Sequence, residues 1–254
     1  MTITYKIQRT KMKHLRTILS VLAAAAAISC SKTNGFVSFD ISSDLEITEV
    51  TRSNVSQYTA LPSAGDFVLS VTGTSYTWTG KLSDWDATAA LAEGSYTVTA
   101  AYGNLEDEGF DKPYFTSKET SFTVKGGEQS AVKVDVALGN TIVLVSCTDA
   151  FKEFYPEYTF TLTREGAAAP IAVFAKDETR GAFVDGYKLT VNGQLTGHNG
   201  AQVAFKKDYT NLAAATAYTC LFDINKDSFG GVSLTIEFND TVETIDLGDY
   251  ELND

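Results

Sequence analysis

Residues 132–138 read VKVDVAL, with valine or leucine at every second position and lysine, aspartate or alanine between them. Successive side chains of a β-strand point to opposite faces of its sheet. The alternation is therefore typical of a strand with one buried and one solvated face. The stretch predicts a half-buried β-strand, and the rest of the chain follows the same rule.

The period of two runs through both halves of the chain. Helical periodicity is confined to a short segment from Ser83 or Asp84 to Leu91 and to one turn that Asp149 opens and a proline ends. Many short strands with almost no helix predict an all-β fold built from antiparallel sandwiches. The alternating segments lie at 37–41, 67–71, 76–78, 96–102, 122–124, 160–162, 187–191 and 232–238.

Glycine-containing pairs predict where strands turn. Asn192-Gly193 favours a type I′ hairpin turn, because both central residues of that turn take positive φ. Gly126-Gly127 is a second candidate for such a turn.

A break near Gly139-Asn140 divides the exported part of the chain into two halves of similar length, and the halves share a corner. The segment 91–97 (LAEGSYT) resembles 212–219 (LAAATAYT) with one residue inserted. Sandwiches use a tyrosine at such a corner to tie the chain by a bond between its hydroxyl and the backbone, so Tyr96 and Tyr218 are predicted to be structural. We expect two tandem antiparallel β-sandwich domains, transthyretin-like or Ig-like, at residues 36–139 and 140–254.

Residues 1–29 have the composition of a secretory signal peptide. A basic start precedes an apolar run from about Leu15 to Ile28, which is too short to cross a bilayer as a helix. Met12 is an alternative start. We therefore expect an exported chain.

The signal ends at Ala27-Ile28-Ser29-Cys30. A small, an apolar and a small residue before a cysteine form the pattern that a bacterial lipoprotein signal peptidase recognises; the alternative is an ordinary signal followed by a chance cysteine. Several acyl chains on Cys30 would hold the protein at a membrane far more strongly than one. We predict that Cys30 is lipidated, that residues 30–35 are a tether, and that the protein is an outer-membrane lipoprotein facing either the periplasm or the outside.

The net charge excludes one class of partner. The whole chain carries −12, and loss of the five basic residues of the signal takes the mature chain to −17. Such a surface repels phosphate backbones, so the sequence argues against nucleic-acid binding.

Groups that carry catalysis are scarce. His198 is the only histidine of the mature chain, in the loop-like sequence Gly197-His198-Asn199-Gly200, and no nucleophile elbow, phosphate loop or paired zinc histidines occur. The spacing of Asp223, Asn225 and Asp227 suggests a calcium loop, but the glycine and the closing glutamate of such a loop are missing. A hairpin through Gly230-Gly231 is the better interpretation. We expect no catalytic residue, no metal and no cofactor, and hence a protein that is not an enzyme.

Cys147 and Cys220 are the cysteines that remain after lipidation, and each lies on a predicted strand of the second half. An exported protein can oxidise such a pair to a disulfide. Two buried free thiols would have the same sequence, so both alternatives stay open.

Three runs resemble a known family. They are Gly94-Ser95-Tyr96-Thr97-Val98, Ala101-Tyr102-Gly103 and Gly109-Phe110-Asp111-Lys112-Pro113-Tyr114-Phe115, and the portion from Gly94 to Phe115 is the most specific. These runs are similar to the DUF4493 lipoproteins of Bacteroidetes. The similarity continues through Phe122-Thr123-Val124, the valine-rich strand to Leu138, Asn140, Phe151, Phe154-Tyr155, Tyr158 and Arg180-Gly181-Ala182-Phe183. The resemblance covers roughly residues 35–250.

The resemblance implies a surface role. DUF4493 proteins look related in style to fimbrillin-type lipoproteins of two transthyretin-like sandwiches, which implies fibres or adhesion. It supplies no catalytic residue. Asp240-Thr241-Val242 also resembles the short acceptor of O-glycosylation in that phylum, which makes Thr241 a candidate sugar carrier; a plain hairpin loop is the alternative.

Aromatic residues of the first half suggest a binding surface. Phe110, Tyr114 and Phe115 fall in a predicted loop, and both sugar binding and protein interfaces favour such rings. The leading hypothesis is a non-catalytic surface lipoprotein for adhesion or fimbriae with a protein partner. The alternative is a glycan-binding accessory lipoprotein that uses these aromatic residues.

Overall fold

The computed structural model describes residues 33–44, 46–47, 53–186, 188–226, 232–238 and 241–246. Within these ranges strands dominate, and helix is limited to one six-residue α-helix and three short 3₁₀ turns. The prediction of an all-β fold is confirmed.

The first half is built around one eight-stranded sheet in the order β5-β4-β7-β9-β11-β1-β6, with β10 also paired to β7. β2 and β3 pair with each other. The strands are β1 (Asn34–Asp44), β2 (Glu46–Ile47), β3 (Ser53–Asn54), β4 (Val68–Gly73), β5 (Tyr76–Lys81), β6 (Leu91–Ala92), β7 (Gly94–Tyr102), β8 (Gly109–Phe110), β9 (Phe115–Ser117), β10 (Thr120–Val124) and β11 (Gln129–Leu138).

The eight-stranded sheet bends around its own apolar face. Phe39 of β1 and Phe122 of β10 lie on strands far apart in the sheet order, yet their ring centroids are 5.7 Å apart. Val134, Val136 and Leu138 of the opening stretch are all buried in the core between them. The alternation at 132–138 therefore has the burial that its sequence predicts.

The second half packs two sheets face to face. A six-stranded sheet, β20-β19-β18-β12-β15-β8, lies over a four-stranded sheet, β14-β13-β16-β17. Phe160 and Phe222, one from each sheet, stack with centroids 4.2 Å apart in the core. The elements are β12 (Thr141–Cys147), α1 (Asp149–Phe154), β13 (Glu157–Arg164), β14 (Ala172–Phe174), β15 (Ala182–Val184), β16 (Leu189–Thr196), β17 (Gln202–Tyr209), β18 (Ala217–Lys226), β19 (Val232–Phe238) and β20 (Thr241–Asp246).

Each half contains one parallel pair among its antiparallel ones. β1 runs parallel to β11, and β12 runs parallel to β18. Alternation along a strand does not reveal the direction of its neighbour, so the sequence predicts strands but not these two pairings. In both halves the parallel pair joins the first strand to a later one, which is a structural echo of the repeated corner.

Both tyrosine corners form as predicted. The Tyr96 hydroxyl donates to the carbonyl of Ala92 at 2.9 Å. The Tyr218 hydroxyl accepts from the amide of Ala213 at 3.0 Å. The bonded residues are equivalent once the inserted residue is allowed for. The structural reading of these two tyrosines is confirmed.

The prediction of a hairpin turn at Asn192-Gly193 is wrong. Both residues lie inside β16, which pairs with β13 on one side and β17 on the other. Gly193 is needed there for space, because a Cβ would come within 2.1 Å of the Phe205 ring. The Gly126-Gly127 turn is present, with Gly127 at φ 76°, but it leads from β10 to β11, which are not partners in the described sheets.

The two helix predictions differ in outcome. The segment from Ser83 to Leu91 does not form the predicted helix. A 3₁₀ turn, Leu82–Asp84, is followed by Trp85, whose indole Nε1 donates to the Val37 carbonyl at 2.8 Å. The turn near Asp149 is α1, although Thr148 rather than Asp149 caps it. Asp223 and Asn225 lie in β18, which pairs antiparallel with β19 as a hairpin requires, whereas the predicted turn at Gly230-Gly231 lies outside the described residues.

Candidate functional site

Within the most specific part of the family resemblance, residues 94–115, one segment crosses from the first half to the second. It leaves β7, runs along residues 104–114 and pairs β8 with β15, opposing Gly109 to Phe183 and Phe110 to Ala182. Gly109 sits at φ 119°, a conformation that favours glycine. We call residues 104–114 the strap, because they add a strand of the first half to the six-stranded sheet of the second.

Arg180 fastens the middle of the strap. Its guanidinium lies 4.4 Å from the centroid of the Phe110 ring, and its Nη1 is 3.2 Å from Asp111 Oδ2. Its Nη2 and Nε also reach Glu178, at 2.8 and 3.0 Å. These bonds from Arg180 lower the pKa of Glu178 to about 2. This guanidinium stacks on an aromatic ring and also donates hydrogen bonds to two carboxylates, and a lysine ammonium could not make the same set of contacts.

Glu108 fastens the start of the strap. Its side chain is only 8% exposed and accepts from Arg164 Nη2 at 2.7 Å and from the amide of Asp185 at 2.9 Å. Both donors belong to the second half. A nearly buried carboxylate with charge-assisted bonds holds its partners firmly, and loss of one partner is costly. Glu108 carries no signal in the sequence, because it lies in a run of acidic residues that reads as solvated.

Asn140 fastens the end of the strap. It is fully buried, its Oδ1 accepts from the Tyr114 amide at 3.0 Å, and its Nδ2 donates to the Lys112 carbonyl at 3.0 Å. Its own carbonyl accepts from the amide of Ala215. One side chain thus ties the strap, the link between the halves and the second corner together.

The two halves also share a core. Ile142, Phe183 and Ala217 belong to strands of the second half but pack in the buried cluster of the first. Three of the segments that carry the family resemblance, 109–115, 140 and 180–183, therefore meet at one place, which we call the joint. The polar side chains of the joint form their hydrogen bonds and ion pairs with other groups of the joint, and these bonds connect the two halves.

The three predicted ligand-contact aromatic residues have other roles. Phe115 is 1% exposed and lies in the core, which excludes it as a ligand contact. Phe110 is held between Phe174 and Arg180. Tyr114 is half-buried against Gly139, where a Cβ would come within 2.6 Å of its ring. The predicted loop is partly strand, because Phe110 lies in β8 and Phe115 in β9, and only Tyr114 lies in the connection between them. Ligand contact by the half-buried Phe110 and Tyr114 stays a prediction.

Cys147 and Cys220 are both free thiols in this structure. β12 and β18 place Val145, not Cys147, opposite Cys220, so the two cysteines are diagonal rather than facing. Of the two alternatives that the sequence leaves open, the structure has the free thiols. Burial raises the pKa of each to about 12.

A small cavity of about 120 Å³ lies beside Cys147, with Lys152, Tyr158 and Asp177 among its lining residues. The Tyr158 hydroxyl points to Asp177, 3.4 Å away, and burial raises the pKa of Tyr158 to about 12. Thiol and phenol thus keep their protons at neutral pH and offer the cavity weak donors rather than nucleophiles.

The side chains of the two predicted modification sites, Cys30 and Thr241, lie outside the described part of the structure. Cys30 lies outside the described residues, and its lipidation stays a prediction. Thr241 is the first residue of β20 and pairs with Phe238, and only its backbone belongs to the described part of the chain. Glycosylation of Thr241 stays a prediction as well.

A shallow depression of about 470 Å³ lies on the outer face of the first sheet. Its floor includes Thr72, Ser95, Thr97, Ser121 and Thr123, which come from β4, β7 and β10. Across the described ranges, no group of three or more His, Cys, Asp or Glu is placed to hold a metal ion. No helix in those ranges has the length and hydrophobicity that a membrane span requires.

The chain belongs to the DUF4493 family, a domain of unknown function, whose model matches residues 33–248. The resemblance found in the sequence is thus confirmed. Comparison with curated proteins gives no match.

Three solved structures are similar to this chain over most of its length. A candidate cell adhesion protein from Bacteroides ovatus ATCC 8483 is 12% identical, with 88% of this chain and 99% of that chain covered and a TM-score of 0.42. A candidate polysaccharide-binding protein (DUF1812) from Bacteroides thetaiotaomicron VPI-5482 is 10% identical, covers 86% and 100%, and has a TM-score of 0.39. The fimbrial anchor protein Mfa2 from Porphyromonas gingivalis is 11% identical, covers 82% and 98%, and has a TM-score of 0.33. Likenesses this distant transfer no residue and no activity.

Proposed function

We propose that the protein is a non-catalytic lipoprotein of the outer membrane that holds two tandem β-sandwiches, residues 36–139 and 140–254, out from the membrane as one stiff binding body. The joint carries this proposal. The halves are connected by hydrogen bonds and ion pairs of three polar side chains, those of Glu108, Arg180 and Asn140. A body that holds a partner away from a membrane gains from such stiffness, because force and orientation pass from one sandwich to the other.

The role is adhesion or a place in a fimbria, with a membrane partner through the lipid on Cys30 and a protein or glycan partner at the exposed sheets. The acidic mature chain argues against nucleic acid as the partner. A glycan-binding accessory lipoprotein is the second candidate, and the depression over Thr72 and Thr97 favours it.

The proposal is tested in cells that produce the intact chain or its Cys30→Ala variant. The intact protein is expected to incorporate labelled palmitate, to partition into detergent and to support attachment of the cells to a host-derived or bacterial surface. The Ser31→Ala variant is the matched control and should behave like the intact chain. Detergent partitioning that survives Cys30→Ala would refute the anchor, and attachment that is the same without the protein would refute the adhesive role.

A further inference from the structure

The outer face of the first sheet carries hydroxyl groups at nine positions on four adjacent strands, and we call these positions the hydroxyl face. On β4, β5, β7 and β10 the alternate positions point inward and include Leu69, Val71, Val98 and Phe122. Most outward positions of these four strands are serine or threonine; the exceptions are Val68, Lys81 and Ala101, which lie in one row at the end of the array. The hydroxyl face consists of Ser70, Thr72, Thr77, Thr79, Ser95, Thr97, Thr99, Ser121 and Thr123.

The register of the sheet arranges these hydroxyls in rows. Thr77, Thr72, Thr97 and Ser121 are direct partners across four strands. Thr79, Ser70 and Thr99 form the next row across three. Strands lie about 4.8 Å apart and each residue advances about 3.4 Å, so the array measures about 14 Å in each direction.

The hydroxyls are available to a ligand. Ser70 Oγ and Thr79 Oγ1 are 3.4 Å apart, which is the one hydrogen bond between two of these side chains in the described residues. Thr72, Ser95, Ser121 and Thr123 are exposed. The depression of about 470 Å³ lies over this end of the array, and its volume is within the range of about 300–1,000 Å³ that small-molecule sites occupy.

The lack of charge sets the hydroxyl face apart from other outward positions of the same protein. The outward face of β11 carries Lys133 and Asp135, and that of β17 carries Lys206 and Asp208. On the four strands of the hydroxyl face, charge begins only at the strand end, at Lys81. A neutral patch on a chain of net charge −12 neither attracts a cationic partner nor repels an uncharged one.

The uncharged hydroxyl groups of the patch favour a ligand that also carries uncharged hydroxyl groups. Each hydroxyl donates one hydrogen bond and accepts two, so a ligand that offers both donors and acceptors without charge satisfies it best. Anionic polymers find no cation among the nine hydroxyl positions. A neutral polysaccharide has uncharged hydroxyls at spacings of a few ångströms.

We propose that the hydroxyl face binds a neutral polysaccharide, with Thr72 and Thr97 at the centre of the contact. This inference rests on the proposed binding role and names its site and ligand class. It moves the sugar contact from the loop aromatic residues that the sequence suggested to the outer face of the first sheet.

The test is native gel electrophoresis of the protein through gels that contain an α-glucan, a β-glucan, a mannan, a galactan or a xylan, with polygalacturonate as the anionic comparison. The Thr72→Val/Thr97→Val variant removes two hydroxyls but keeps the branched side chains that suit a strand. Thr72→Ser/Thr97→Ser keeps the hydroxyls. Thr159→Val/Thr235→Val makes the same change on the second sandwich and is the matched control. Circular dichroism and melting temperature establish that each variant is folded.

We expect at least one neutral polysaccharide to retard the protein and polygalacturonate to leave it unretarded. The valine variant should bind roughly tenfold or more weakly, because two hydrogen bonds are lost. The serine variant and the control should bind like the unaltered protein.

Retardation by none of the neutral polysaccharides, or retardation that survives in the valine variant, would overturn the proposal. Sedimentation velocity adds a further outcome: a dimer of the unaltered protein that the valine variant cannot form would assign the face to a second copy and would also overturn it. Attachment that depends on Cys30 alongside any of these results would leave the proposed adhesive role standing.

Discussion

Tyr96 and Tyr218 occupy equivalent corners, but their hydrogen bonds run in opposite directions. Tyr96 donates to a carbonyl, whereas Tyr218 accepts from an amide. The backbone partners, at Ala92 and Ala213, are on exposed residues that water can reach. Loss of either bond therefore removes a net interaction without leaving a buried polar group unpaired.

Tyr96→Phe and Tyr218→Phe are each expected to lower the free energy of unfolding by about 1 kcal/mol. Urea unfolding followed by fluorescence measures this. Tyr102→Phe is the control, since the Tyr102 hydroxyl has no bond to the described residues, and it should change little. Equal stability of all three variants would show that the corners are held by packing alone.

Glu178 links the joint to pH. Its pKa in the folded protein is about 2, below its usual value of 4.5, first because its side chain bonds Arg180 and then because it accepts backbone amides. A carboxyl whose pKa is lower in the folded than in the unfolded protein stabilises the fold fully when the pH is above its pKa in the unfolded chain. This stabilisation is lost as the pH falls through its pKa in the folded protein. The stabilising effect should therefore be complete above pH 4.5 and gone near pH 2.

Glu178→Gln is expected to lower the melting temperature at pH 6, and the difference from the unaltered protein should shrink as the pH falls from about 4.5 to about 2. Scanning calorimetry across this range measures it. Glu119→Gln, on an exposed loop residue, is the control and should show no such convergence. A difference that stays constant down to pH 2 would contradict the assignment.

Single residues show how far the sequence leads. The corner tyrosines could be predicted, because the repeat placed the same residue after the same small-residue turn in both halves. Glu108 and Asn140 could not, because a carboxylate and an amide gain their importance from partners that are distant in sequence.

Strands were predictable at the scale of elements, whereas their neighbours were not. β11 and β7 follow the alternation closely, since burial of one face of a strand depends only on every second residue. The prediction of a turn at Asn192-Gly193 was wrong, because a glycine is needed not only in tight turns but also in a strand where a neighbouring side chain packs against the backbone. The Phe205 ring that fills the space over Gly193 lies on the neighbouring strand β17.

Gly193→Ala is expected to destabilise the protein by about 1–3 kcal/mol, since the added Cβ overlaps the Phe205 ring. Urea unfolding of Gly193→Ala, Phe205→Leu and the double variant forms a double-mutant cycle. The glycine change should cost less when leucine replaces the ring. An equal cost in both backgrounds would place the strain in the backbone of β16 and not against Phe205.

The whole molecule depends on the joint. The family segment at 109–115 could be recognised in the sequence, but its role could not, because Phe110 and Arg180 are 70 residues apart in the chain (180 − 110) and meet only in the fold. The strap, the shared core around Ile142 and the Glu108 bonds all act between the same two halves. We propose that together they make the halves move as one body.

The most direct test is the distribution of distances between spin labels on Thr77→Cys and Ser233→Cys, one in each half, measured by pulsed electron resonance. Cys147→Ala removes the partly exposed thiol, and Cys220 is buried. If the joint holds the two halves as one stiff body, the distribution is narrow, and it should broaden in the Glu108→Ala/Arg180→Ala variant while circular dichroism stays unchanged. A broad distribution in the protein with an intact joint would contradict the claim that the two sandwiches form one stiff body.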